Sequence, residues 1–107
     1  MLLTIKTQMG RQSQKELFKN VWQKRKHFCQ VCKRFLGHIP KTFFFAHILS
    51  KGAYPRYKFL EENIILLCRD CHYKYDFQGG CKEDKRFRGL LQRKQELKEQ
   101  YYRDEKG

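Results

Sequence analysis

Apolar and polar positions alternate along this chain in three distinct rhythms. Residues 11–26, RQSQKELFKNVWQKRK, set Leu17, Phe18, Val21 and Trp22 on one side at helical spacing, with cations over much of the rest. That pattern predicts an amphipathic helix whose apolar stripe packs on a core. Residues 41–49, KTFFFAHIL, are aromatic and β-prone and predict a strand, with Phe43, Phe44 and Phe45 as core or sheet-face residues. Residues 50–63, SKGAYPRYKFLEEN, hold Gly52 and Pro55 and predict a loop. The run IILLC at 64–68 predicts a short buried strand. Asp70 is a plausible N-cap for a helix opening at DCHYKYDF and ending at Gly79-Gly80. A last helix from about Asp84 to Arg103 runs through Phe87, Leu90, Leu91, Leu97 and Tyr101.

The order strand, loop, strand, helix is a ββα unit flanked by helices at both ends, an α+β arrangement. The predicted divisions are a basic amphipathic helix over 1–28, a core over 29–81 and a C-terminal helix over 82–107. A chain of 107 residues suits one compact domain with a limited core, which a metal staple would help to stabilise.

Charge narrows the partners. The chain carries 24 Lys+Arg against 11 Asp+Glu, a formal +13. The excess favours a polyanion, nucleic acid first and an anionic membrane second. It is steepest over residues 1–28, which have seven basic side chains and one acid. MLLTIKTQMG is too short and polar for the apolar core of a signal peptide, and nothing approaches a membrane span. The expected setting is a reducing cytoplasm, where paired cysteines bind metal more often than they form disulfides.

Cys29-x-x-Cys32 and Cys68-x-x-Cys71 are two such pairs, each able to present two thiolates to one tetrahedral ion. Thirty-five residues lie between Cys32 and Cys68, so the insert must have structure of its own. Four thiolates leave no open coordination position, so a zinc held there is structural. An iron–sulfur cluster and plain buried thiols are the competing readings. Cys81 has no partner at a suitable spacing, and His27 and His38, beside the first pair, are expected at the surface. His72 follows Cys71 and must point elsewhere, while Asp76 shares its helix face at i+4. Such a pair can hold a divalent ion, although a solvated His–Asp contact is the usual explanation.

His47, Asn63 and His72, framed by the two cysteine pairs, resemble the HNH endonucleases of the His-Me finger (ββα-metal) superfamily, over residues 29–76. The stretch AHILSKGAYPRYKFLEENIILLC is also similar to the NinG recombination proteins of lambdoid phages, which implies a phage origin and a role in DNA recombination. The resemblance implies a zinc-stapled ββα-metal fold and hydrolysis of DNA phosphodiester bonds. It makes His47 the general base, Asn63 the residue that fixes the loop backbone or the imidazole, and His72 a ligand of a catalytic Mg²⁺ or Mn²⁺. Many members carry Asp or His just before the base; this chain has Ala46, which leaves the ion to His72 and Asp76. Lys51 and Arg56, in the loop, are candidate phosphate contacts. A zinc module that binds nucleic acid without catalysis, and a zinc-stabilised adaptor, are the alternatives. Monomer and homodimer both remain open.

Overall fold

A computed structural model describes residues 13–78 and 80–106. Residues 1–12 of the expected N-terminal helical division, Gly79 at the end of the expected second helix and Gly107 lie outside the described residues. Helix α1 spans Gln14–Lys24, and Ser13 caps it by accepting the Glu16 N–H at 3.2 Å. Leu17, Val21 and Trp22 are its buried stripe. It stops two residues short of the expected end because Arg25 turns extended and its guanidinium donates to the carbonyls of Ile64 at 2.5 Å and Glu61 at 2.7 Å. The end of α1 is thereby fastened to the turn that feeds the second strand.

The strands are shorter than the β-prone runs predict. β1 is Phe45–His47 and β2 is Ile64–Leu66, antiparallel, with Phe45 opposite Leu66, Ala46 opposite Ile65 and His47 opposite Ile64. Thr42–Phe44 form a 3₁₀ turn instead of strand, which turns Phe43 out to 42% exposure. Phe43 is thus a surface residue rather than the core or sheet-face residue expected. Beyond the ladder, Ile48 N–H still donates to Asn63 O at 2.8 Å, and Leu67 N–H to Phe44 O at 2.9 Å. The β1–β2 loop contains two 3₁₀ turns, Pro55–Tyr57 and Glu61–Asn63.

Helix α2, Arg69–Tyr73, continues through a π-helical turn at Lys74–Gln78. Its N-cap is Cys68, whose Sγ accepts the Cys71 N–H at 3.5 Å, so the expected cap at Asp70 is corrected by two residues. A thiolate able to receive an N–H from the first turn replaces the usual carboxylate or hydroxyl. Asp84 does act as a cap, accepting the Arg86 N–H at 3.0 Å, but for the 3₁₀ turn Lys85–Phe87. That turn leads directly into α3, Arg88–Lys106.

These elements make a small α+β fold: a two-stranded sheet and three α-helices among the described residues. The core gathers Leu17, Val21, Leu49, Ile64, Leu66, Phe87 and Leu97, joined by Phe45 from β1 and Cys71 from α2. No described helix is long and apolar enough to cross a membrane. α3 grips the β1–β2 loop with Tyr101, which meets the rings of Tyr54 and Tyr57 edge-on. Tyr57 also donates its hydroxyl to Asp104 Oδ2 at 2.5 Å. The loop is therefore held at both ends, by α1 through Arg25 and by α3 through Tyr57.

Candidate metal centre and histidine cleft

The first cysteine pair sits in a tight turn closed by the bridge between Phe28 and Phe35. Cys29 N–H donates to Arg34 O at 2.8 Å, and Lys33 N–H returns to Cys29 O at 2.9 Å with Lys33 in the left-handed region, φ 67°. Gln30 N–H donates to Leu66 O at 2.9 Å, which moors this turn to the end of β2, one residue before Leu67-Cys68. That bond is why sulfurs so far apart in sequence meet.

All four thiol sulfurs lie within 4.8 Å of one another, and Cys32 Sγ is 3.6 Å from Cys68 Sγ. A tetrahedral zinc with sulfur ligands at about 2.3 Å requires sulfurs about 3.8 Å apart, so the cluster has the right size for one ion. Its electrostatics point the same way. Burial pushes the Cys29 thiol up, but backbone N–H groups, including those of Cys32 and Val31, and the Cys32 thiol outweigh it and bring it down to about 7. Burial and the neighbouring sulfurs push Cys68 and Cys71 upward. Four sulfurs in this space cannot all ionise without a cation among them. The cluster can hold a structural metal ion, and zinc suits it. Arg34, Lys74 and Arg86 stand around its mouth together with Asp70, Arg34 paired with Asp70 and the other two with Asp84.

His47 ends β1, half-buried, with its Nε2 2.9 Å from Lys58 O. A carbonyl only accepts, so Nε2 carries the proton and Nδ1 keeps a free lone pair. Burial lowers the pKa of His47 below its usual value; the Lys58 hydrogen bond opposes this, Lys51 and His72 reinforce it, and Asp76 opposes it. Those charges act on His47 because Lys51, His72 and Asp76 lie near it, and these four side chains border what we call the histidine cleft.

His72, on α2, places Nδ1 2.6 Å from Phe43 O and Nε2 2.9 Å from Asp76 Oδ2. Donation to the carbonyl commits the Nδ1 proton, leaving the Nε2 lone pair turned toward a carboxylate. Such a pair needs a proton or a cation between its members. Ligands at adjacent corners of an octahedron with bonds of about 2.1 Å stand about 3.0 Å apart, so the Nε2–Oδ2 spacing also suits a small divalent ion. Among the described residues, no third His, Cys, Asp or Glu joins this pair in a metal-sized group. Ala46 is fully buried opposite Ile65 and offers no donor.

Asn63 is fully buried and every polar atom of its side chain is used. Its Oδ1 accepts from Leu49 N–H at 2.7 Å, while Nδ2 donates to Leu49 O at 3.0 Å and Tyr57 O at 3.2 Å. Asn63 thus fixes the loop backbone, one of the two roles expected, and its own bonds do not reach the imidazole. Lys51 lies beside the cleft and donates to Gln14 Oε1 at 2.9 Å. Arg56 is directed elsewhere: Nη2 donates to Tyr101 O at 2.7 Å, and the guanidinium carbon sits 3.9 Å from the Tyr101 ring centroid. His27 is half-buried rather than at the surface, stacked on Trp22 at 3.6 Å and bonded through Nε2 to Trp22 O at 2.9 Å.

Three contributors to the cleft carry no signature in the sequence. Lys58 and Phe43 act through backbone carbonyls, which every residue possesses. Tyr75 donates its hydroxyl to Ile48 O at 2.6 Å and so secures the residue after His47; the helical spacing of Tyr75 from Cys71 is the one available signal. No family model, curated protein or solved structure matches the chain.

Proposed function

We propose that the chain is a metal-dependent endonuclease of the HNH type, hydrolysing phosphodiester bonds in DNA, with phage DNA recombination or processing as its setting. The observation that carries this reading is the pair of backbone carbonyls, Lys58 O and Phe43 O, that orient the two imidazoles through different ring nitrogens. His47 gives its Nε2 proton to Lys58 O, which leaves Nδ1 as an acceptor; His72 gives its Nδ1 proton to Phe43 O, which turns Nε2 to Asp76, where the two could share an ion. A domain that only binds nucleic acid has no use for two imidazoles oriented in this way.

His47 Nδ1 would take a proton from the water that attacks the scissile phosphorus. Its lowered pKa keeps the ring neutral, and so able to accept, at cellular pH. Lys51 would hold a phosphate oxygen at the entrance. Asn63 keeps Leu49 and Tyr57 in place and thereby the β1–β2 loop that supplies the Lys58 carbonyl. His72 and Asp76 would hold Mg²⁺ or Mn²⁺, with waters completing its shell. That ion would supply neutralisation of the scissile phosphate and of the departing 3′ oxygen. A zinc held by the four sulfurs would take no part in the chemistry and would tie the Cys29–Cys32 turn to the start of α2.

The competing reading, a zinc-dependent nucleic-acid-binding module, draws its support from the two-ligand count at His72 and Asp76. Supercoiled plasmid separates the two. The expected result is nicking with Mg²⁺ or Mn²⁺, abolished in His47→Ala and in His72→Ala. Intact plasmid with every divalent ion tried, at a protein concentration that binds the DNA, would leave the binding module.

A further inference from the structure

Helix α2 presents three stripes. Cys71 and Tyr75 face inward, His72 and Asp76 face the cleft, and Arg69, Tyr73 and Phe77 follow one another at i, i+4 and i+8 on the outside. The outer stripe is unusual for a small basic domain. Tyr73 is 54% exposed and Phe77 74% exposed, with ring centroids 5.2 Å apart. Arg69 extends it to a third ring, its guanidinium carbon 5.6 Å from the centroid of Phe43, itself 42% exposed. The Phe43 carbonyl is the group that orients His72, so the strip and the cleft share a border.

Exposed aromatic rings in a row, with the Arg69 guanidinium among them, mark a binding surface rather than a core. The strip contains no aliphatic side chain of the kind that fills a protein-docking groove. It has flat faces and a guanidinium plane, on a chain of formal charge +13. Bases stack on such faces when they are unpaired, because a duplex buries their faces against one another. We propose that Phe43, Arg69, Tyr73 and Phe77 form a stacking platform for unpaired bases, so that the preferred substrate is DNA with a single-stranded segment beside the phosphodiester to be cut. The assignment of the cleft as a nuclease site is a premise of the substrate preference, though not of the stacking. A strand lying on the strip leads its next phosphate to the neighbouring stripe of the same helix, where His72 and Asp76 stand.

The test reads binding without cleavage, in buffer with no added divalent ion. Fluorescence anisotropy compares a single-stranded oligonucleotide of about 20 nucleotides with a blunt duplex of the same sequence, a length that covers a typical stacking site. The double variant Tyr73→Ala/Phe77→Ala changes exposed side chains only, and circular dichroism checks that it remains folded. Loss of stacking on two rings should weaken single-strand binding by at least about tenfold and leave duplex binding within about twofold. Because no charge is removed, the salt dependence of binding should not change. Tyr73→Leu/Phe77→Leu keeps the apolar area and should fail as the alanine pair does, whereas Phe77→Trp should keep the affinity and show quenching of the new indole by the oligonucleotide. Single-strand affinity unchanged in the alanine pair, or restored by leucine, overturns the platform and leaves a protein-docking patch. Plasmid nicking by these variants is scored separately: a chain that stacks single strands but cuts nothing loses the nuclease reading alone, and one that cuts with an indifferent strip loses the platform alone.

Discussion

Asn63 and Leu49 exchange two hydrogen bonds, side chain to backbone: Oδ1 receives the Leu49 N–H at 2.7 Å and Nδ2 gives to the Leu49 carbonyl at 3.0 Å. The carboxamide imitates a neighbouring strand for a residue that has left the ladder. It also reaches Tyr57 O at 3.2 Å, so one side chain closes the loop between the two strands.

Asn63→Ala would strand both the N–H and the carbonyl of Leu49 in a fully buried place, while Tyr57 O keeps the Leu60 N–H. Each unsatisfied buried group costs about 1–3 kcal/mol, so a loss of about 3 kcal/mol in unfolding free energy is expected. Asn63→Asp should fare no better, because one carboxylate oxygen would face two carbonyl oxygens. Urea unfolding followed by circular dichroism measures both; an Asn63→Asp variant as stable as the parent would sink the account.

On the proposed nuclease reading, His47 sets a pH signature. Its base form is the neutral ring, so the rate of cleavage should rise with pH as the ring loses its proton and then level off. Since burial lowers the pKa, with Lys51 adding to the effect, the plateau should begin below the pH at which a free histidine, near 6.5, would reach it. Lys51→Ala removes a positive charge that disfavours the protonated ring. The acidic limb should therefore move to higher pH in that variant. An acidic limb unmoved by Lys51→Ala would place the titration on another group.

The sulfur cluster and the histidine pair should fail in different ways. Structural zinc in small domains contributes on the order of 10 kcal/mol, comparable to the whole stability of a typical chain this size. Cys68→Ser, or a strong chelator, should therefore unfold the protein, while His72→Ala should leave it folded and inactive. Because Cys68 and Cys71 are pushed up by burial, protons compete with the ion for them, and zinc should be released as the pH falls. Circular dichroism with a zinc-release dye distinguishes the cases. An unfolded His72→Ala would assign that histidine to the structural site.

Local pattern carried much of this into the sequence. The spacing of the cysteine pairs brings four sulfurs within 4.8 Å of one another, where they could hold one ion, and the i,i+4 relation of His72 and Asp76 survives as a 2.9 Å contact. What escaped is what depends on the path of the backbone. KTFFFAHIL has the composition of a long strand, but its first residues wind into a 3₁₀ turn, which converts Phe43 from an expected core residue into an exposed one. Asp70 looked like a cap by residue type, whereas the cysteine turn gives that place to Cys68. The carbonyls of Lys58 and Phe43, which decide the two tautomers, belong to no side chain and leave no trace in a residue pattern.

Arg56 shows the same limit at long range, since its partner Tyr101 lies 45 residues away. A loop arginine beside a proline reads as a phosphate contact, yet its guanidinium is stacked at 3.9 Å on Tyr101 and bonded to that residue's carbonyl. The stack and the bond together are worth about 1–2 kcal/mol, so Arg56→Ala should lower stability by that amount as α3 loosens from the loop. Arg56→Lys keeps the charge but not the flat fork, and should be destabilised nearly as much. The slope of log affinity for duplex DNA against log salt should be the same in both variants as in the parent. Lys51→Ala, by contrast, should reduce it by about 0.9, the share of one phosphate contact. If Arg56→Ala instead loses that slope while unfolding at the parent's urea midpoint, the guanidinium belongs to the nucleic acid and Tyr101 is only its resting place.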